Sequence, residues 1–144
     1  AIRARPDVDA ARVAVTGVSY GGILTLMAAE EDSTLRAAVA FAPAAMNWGW
    51  NAPLRERLLA GARHTRVPVL VLQAANDWNV GPTREVPEAV RAGGGRGEGR
   101  LYPAIGGSAG EGHSFMMLAT DLWRHDVLGF LDRQLGVRRT RAGR

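Results

Sequence analysis

Ser19 stands between glycines in VAVTGVSYGG, residues 13–22, where an apolar run halts and resumes as ILTLMAAEE. A serine so placed either sits in a structural glycine turn or is presented as a nucleophile. Gly17-Val18-Ser19-Tyr20-Gly21 fits the G-x-S-x-G pattern of a nucleophile elbow, in which a strained turn points a Ser side chain away from the backbone at the start of a helix. Small residues two positions to either side would let strand and helix approach closely. The helix dipole and its free N–H groups would favour a negative charge developing there. A dinucleotide site would want a glycine where Ser19 stands, and a phosphate loop would continue into Lys and then Ser or Thr, so both phosphate readings are poor.

A nucleophilic Ser needs a base, and the base needs an acid to orient it. The chain has three His and no Cys. His64 precedes an apolar strand and falls at the wrong end of a parallel sheet, and His125 lies within the last helix. His113, in a glycine-rich stretch after the final strand, is the candidate base. Asp77 in QAANDWNVGP is the candidate acid, with an Asx turn or helix cap as its plainer reading and Asp121 and Asp126 as alternatives. The chain order Ser, Asp, His is the one found on α/β-hydrolase folds.

These residues need a scaffold that brings distant loops to one edge. Short β-branched runs alternate with helical segments, the signature of βαβ units and a parallel sheet. The pattern predicts strands at about residues 12–16, 37–41, 67–73 and 100–102, and helices at 21–31, 53–62, 87–92 and 118–135. GGGRGEG, 93–99, reads as a flexible connection, and IGGSAGEGH, 105–113, as a loop carrying His113. Ser19, Asp77 and His113 each follow a predicted strand, on the edge where ligands of open α/β sheets gather.

Composition narrows the class. A chain of 144 residues, 47% hydrophobic and 22% charged, suits one globular α/β domain with a mainly parallel sheet of about four strands. No apolar run approaches the ~18 residues of a membrane span. The net charge of +4 comes from the tail, since four of the 18 basic residues, all Arg, lie at 138–144 and the 14 others balance 14 acids. The body therefore shows no basic face for nucleic acid, and the tail reads as a solvated end or a contact for an anionic partner. No cofactor or metal is called for.

Taken together, VDAARVAVTGVSYGG, AAVAFAP, VPVLVLQAANDWNVGP, GEGHSF and LWRHDVLGFLDRQL make the chain resemble the C-terminal portion of an α/β-hydrolase, near the dienelactone-hydrolase-like and prolyl-oligopeptidase-like serine hydrolases. Dienelactone hydrolases proper use Cys as nucleophile, so Ser19 points to esterase or peptidase relatives. The resemblance implies a partial hydrolase domain over residues 1–137, a basic tail at 138–144, and about four further strands and a helix before residue 1. It also implies two oxyanion donors, the backbone N–H of Tyr20 and one from a loop in that preceding part.

The expected activity is cleavage of a small ester, or an amide, through Ser19, His113 and Asp77 and an acyl-enzyme intermediate. Trp48, Trp50, Trp78, Met116 and Met117 are expected to contact the acyl group, with core packing as the alternative for each. MNWGWNAPLRERLLAGA leaves no room for a large cap domain, which favours an open pocket. A rival reading is a non-catalytic hydrolase fragment that folds or acts only with a partner chain, including a homodimer through an exposed first strand. A third, a flavodoxin-like binding module, would need an anion site at the first turn.

Overall fold

The computed structural model describes residues 2–136; the basic tail at 138–144 and the domain boundary at residue 137 lie outside them. Four parallel strands run in sheet order β1 (Ala14–Val18), β2 (Ala37–Phe41), β3 (Val69–Ala74) and β4 (Gly97–Tyr102). Ala14 aligns with Ala37, Ala38 with Val69, and Val69 with Gly97. Parallel pairing requires a crossover between neighbours. Helices α1 (Tyr20–Glu31), α2 (Ala52–His64) and α3 (Gly81–Ala92) supply the crossovers. The short helices α4 (Ala109–His113) and α5 (Phe115–Leu118) and the long α6 (Thr120–Leu135) follow β4.

Every residue of β2 and β3 is buried, as continuous apolar strands covered on both faces must be. One face packs Ala38, Ala40, Val69 and Val71 against Leu26, Leu58, Val86 and Val90. The other packs Val39, Phe41, Leu70 and Leu72 against Phe115, Val127 and Phe130. Alternation along each strand, one side chain to each face, produces this division. Each large side chain so buried contributes roughly 1.5–3 kcal/mol, so the central strands make a rigid base for the loops at their ends.

β2 spans the expected 37–41, but several boundaries move for identifiable reasons. β1 continues through Val18, so the turn is confined to Ser19 itself. Asn51 starts α2 early, its side chain accepting from Leu54 N–H. β3 begins after Pro68, which has no N–H, and runs through Ala74. α3 starts six residues before the expected Pro87, with Pro82 in its first turn and Pro87 inside it.

The glycine stretch expected as a flexible connection contributes the first half of β4. A Cβ on Gly97 would overlap the Pro87 carbonyl, and one on Gly99 the Thr83 carbonyl. Pro87 has no N–H to return to Thr83, so that carbonyl is left to lie over the strand. Glycine serves close approach of α3 to β4 here, and not flexibility. The loop expected at 105–113 likewise ends in α4, whose capping box joins Ser108 and Glu111.

Candidate functional site

β1 delivers Ser19 to α1 through a backbone that few side-chain-bearing residues adopt, φ 56° and ψ −116°. Among the described residues only Ser19, Ala42 and Ala44 have positive φ without being glycine, and all three follow strands at the carboxyl edge of the sheet. Such conformations cost of order 1–3 kcal/mol and persist where surroundings over-determine them. Ser19 N–H donates to the Phe41 carbonyl at 2.9 Å, and the Ser19 carbonyl accepts from Ile23 N–H at 3.1 Å.

Gly17 is sterically required, since a Cβ there would overlap the Gly21 carbonyl. Gly21, the other small residue expected to matter, would bring its Cβ within 4 Å of nothing. The second close approach is made instead by Gly22, whose Cβ would stand 3.0 Å from the Phe41 carbonyl oxygen and 3.1 Å from Pro43. Tyr20, the first residue of α1, occupies a position whose N–H has no acceptor within the helix.

β3 and the turn after it carry Asp77, whose side chain has no exposed surface. Asp77 Oδ1 accepts from Trp78 N–H at 2.8 Å and lies 2.9 Å from His113 Nδ1. Its Oδ2 accepts from Gln73 Nε2 at 2.8 Å. His113, the last residue of α4, has its Nε2 2.8 Å from Ser19 Oγ. A carboxylate only accepts, so His113 Nδ1 carries the hydrogen; Nε2 is then an acceptor for the Ser19 hydroxyl.

Asn76 ties the Asp77 turn to the segment that carries His113. Its Nδ2 donates to the carbonyls of Ile105 and Ser108, both at 2.9 Å, and its Oδ1 accepts from Ile105 N–H at 2.9 Å. Gly112 packs against Asn76 so closely that a Cβ would stand 2.5 Å from the Asn76 side-chain oxygen. Glu111 accepts from Ser108 and from Gly107 N–H, and these hydrogen bonds, the one from the Ser108 side chain foremost, hold its carboxyl below the usual range.

The other candidates divide. Trp78 stands edge-on to the His113 ring with centroids 4.9 Å apart and is 47% exposed, so it borders the site. Trp48 departs from the expected substrate contact: it is 2% exposed in the core, its indole N–H donating to Glu85 at 2.8 Å. Its volume fills the space beside Gly81, where a Cβ would meet the indole ring. Trp50 is exposed, with its indole bonded to the Met46 carbonyl.

Met116 packs against the second core cluster, and its carbonyl accepts from Trp123 at 3.0 Å, whereas Met117 is exposed. Of the remaining titratable alternatives, Asp121 pairs with Arg124 and Asp126 accepts from the Tyr102 hydroxyl at 2.6 Å. Burial and that carboxylate push the Tyr102 phenol up. His64 ends α2 and donates from Nδ1 to the Ala60 carbonyl, and His125 is exposed on α6. Gln73, which the sequence reading passes over as the end of a strand, touches Asp77 directly. A polar residue closing an otherwise apolar run, VPVLVLQ, is the signal that could have found it.

Residues 1–58 match the prolyl oligopeptidase family. No curated protein matches the chain. Among solved structures, acylaminoacyl peptidase of Pyrococcus horikoshii superposes with a TM-score of 0.69 at 18% identity, over 99% of this chain and 27% of that one. A puromycin-hydrolyzing peptidase of Mycobacterium tuberculosis gives 0.65 at 25% identity, over 91% and 23%. An esterase of Pyrococcus furiosus gives 0.62 at 16% identity, over 87% and 54%. The chain thus spans about a quarter of each of these peptidases and about half of the esterase. The fold is that of the α/β-hydrolase superfamily, represented here in part. The family match and these neighbours support a hydrolase of that superfamily.

Proposed function

We propose that this portion of an α/β-hydrolase fold is the catalytic unit of a serine hydrolase that cleaves a carboxylic ester, or an amide, through Ser19, His113 and Asp77. The observation that carries the reading is the unbroken relay from Ser19 Oγ to His113 Nε2 at 2.8 Å and from His113 Nδ1 to Asp77 Oδ1 at 2.9 Å. On this reading residues 1–137 are the hydrolase unit, residues 138–144 are a basic appendage, and the substrate is a small ester or peptide. Nucleic acid and cofactors play no part.

Ser19 Oγ bonds to the carbonyl carbon while its proton passes to His113 Nε2. The carbonyl oxygen becomes an oxyanion, which the Tyr20 N–H at the head of α1 stabilises. Asp77 holds the His113 tautomer and stabilises the imidazolium. The imidazolium then protonates the departing alcohol or amine as the carbon–oxygen or carbon–nitrogen bond breaks, leaving an acyl group on Ser19. Water, deprotonated by His113, repeats the sequence and restores the Ser19 hydroxyl. Trp78, partly exposed beside His113, would line the acyl or leaving-group side.

A fluorophosphonate probe tests the nucleophile. Labelling of the wild-type chain and none of Ser19→Ala is expected, with ester turnover falling on the order of 10⁵-fold or more in the variant. Equal labelling of both would remove Ser19 as nucleophile. A second reading rests on β1 pairing on one side only among the described residues: the chain acts only with a partner chain, or a second copy, paired along β1. Labelling that appears only when such a partner is present would favour it.

A further inference from the structure

A fully buried primary amide has two donors and an acceptor oxygen to satisfy, and leaving any of them unpaired costs about 1–3 kcal/mol. Gln73 has no exposed surface and meets the demand completely. Its Oε1 accepts from Thr83 N–H at 3.1 Å and from Thr83 Oγ1 at 2.7 Å. A backbone N–H cannot accept, so the Thr83 contact fixes which end of the amide is oxygen. Nε2 is thereby aimed at Asp77 Oδ2 and the Asn79 carbonyl, each at 2.8 Å.

We propose that Gln73 is a positioning residue, its amide clamping Asp77 Oδ2 so that Oδ1 is held toward His113. The proposal rests on the triad reading above and deepens it. β3 is a buried central strand, so Gln73 is seated on the stiffest part of the sheet. Thr83 lies near the start of α3, so the clamp also ties the orientation of Asp77 to the docking of that helix. Asp77 Oδ1 has Trp78 N–H as its other donor. Rotation of the carboxylate would break the Gln73 and Trp78 bonds together with the one to His113.

Gln73→Glu tests this with almost no change of shape. One carboxyl oxygen still accepts from Thr83, while the other replaces Nε2 and faces Asp77 Oδ2 and the Asn79 carbonyl as a second acceptor. With a small aryl ester, kcat is expected to fall by about 10²-fold at mildly alkaline pH with KM unchanged. Relative to wild type at each pH, the deficit should narrow as pH falls, because a proton taken up by the introduced carboxyl restores a donor toward Asp77.

The His113 Nδ1 proton, followed by NMR, should be shifted downfield in wild type and lose that shift in the variant. This second readout needs no turnover. If wild type is neither labelled nor active, the hydrolase reading fails while the resonance still decides the role of Gln73. Unchanged kinetics and an unchanged resonance would overturn the proposal. Circular dichroism checks folding. Should Gln73→Glu not fold, Thr83→Val removes one of the two donors to Gln73 Oε1 and should lower kcat several-fold with the same loss of downfield shift. Wild-type behaviour of Thr83→Val on both readouts would then overturn the clamp.

Discussion

Ser19 and the pair Asp77 and His113 meet on one edge of the sheet, yet different kinds of interaction hold them. The Ser19 end is built from backbone: a strained φ, a carbonyl of α1 pressed against Gly17, and an N–H bonded to the neighbouring strand. The Asp77 and His113 end is built from side chains, with Gln73 on the carboxylate, Asn76 stitching two loops, and Ser108 with Glu111 starting α4. The first should therefore fail when an atom is added, and the second when a polar group is removed.

The largest stability effect should come from Gly17→Ala, whose methyl group would meet the Gly21 carbonyl. We expect a loss of about 3 kcal/mol in chemical denaturation, or failure to fold. Gly21→Ala, in open space within the same motif, should instead stabilise by roughly 0.5 kcal/mol. Equal effects at the two glycines would show that backbone contact does not set the Ser19 end.

At the other end, Asn76→Ala strips partners from two carbonyls and one N–H. A cost of about 2 kcal/mol is expected, with kcat lowered more than KM is raised. An unaltered kcat would mean that the tie between the loops has no bearing on His113.

The smallest effect belongs to Glu111→Ala. The folded-state carboxyl is held low, so its stabilising contribution is present above the unfolded-state value and is lost as pH falls through the folded one. The variant should melt below wild type at neutral pH, and the gap should close in acid. A gap independent of pH would show that the Glu111 charge is not what holds the start of α4.

Sequence legibility followed the same division. β2 and the core of β3 are readable because apolar runs buried on both faces have few alternative fates. Ser19, Asp77 and His113 are nameable as candidates because the elbow spacing is local and each follows a strand. β4 hides because its glycines carry no β-branched signal; what places them in a strand is the approach of α3, a contact made in three dimensions. The early start of α3 and the existence of α4 are obscured by Pro and Gly, residues whose helix penalty is outweighed by first-turn and capping geometry. Trp48 has the same local appearance as Trp50, and only packing beside Gly81 and Glu85 separates a core ring from an exposed one.

The relay also spans all four strands of the described residues. Ser19 follows β1 and His113 follows β4, 94 positions later in the chain, with Asp77 after β3 between them. No subset of adjacent strands contains all three groups. Long-range parallel pairing is among the slower events in folding, because loop closure must precede the contacts that reward it. The 2.8 Å approach of His113 to Ser19 would form only once all four strands have paired, and loss of β1 or β4 from the sheet would separate it. Reactivity at Ser19 would then report arrival at the native topology, rising with the last strand to dock during refolding and vanishing with the first to leave.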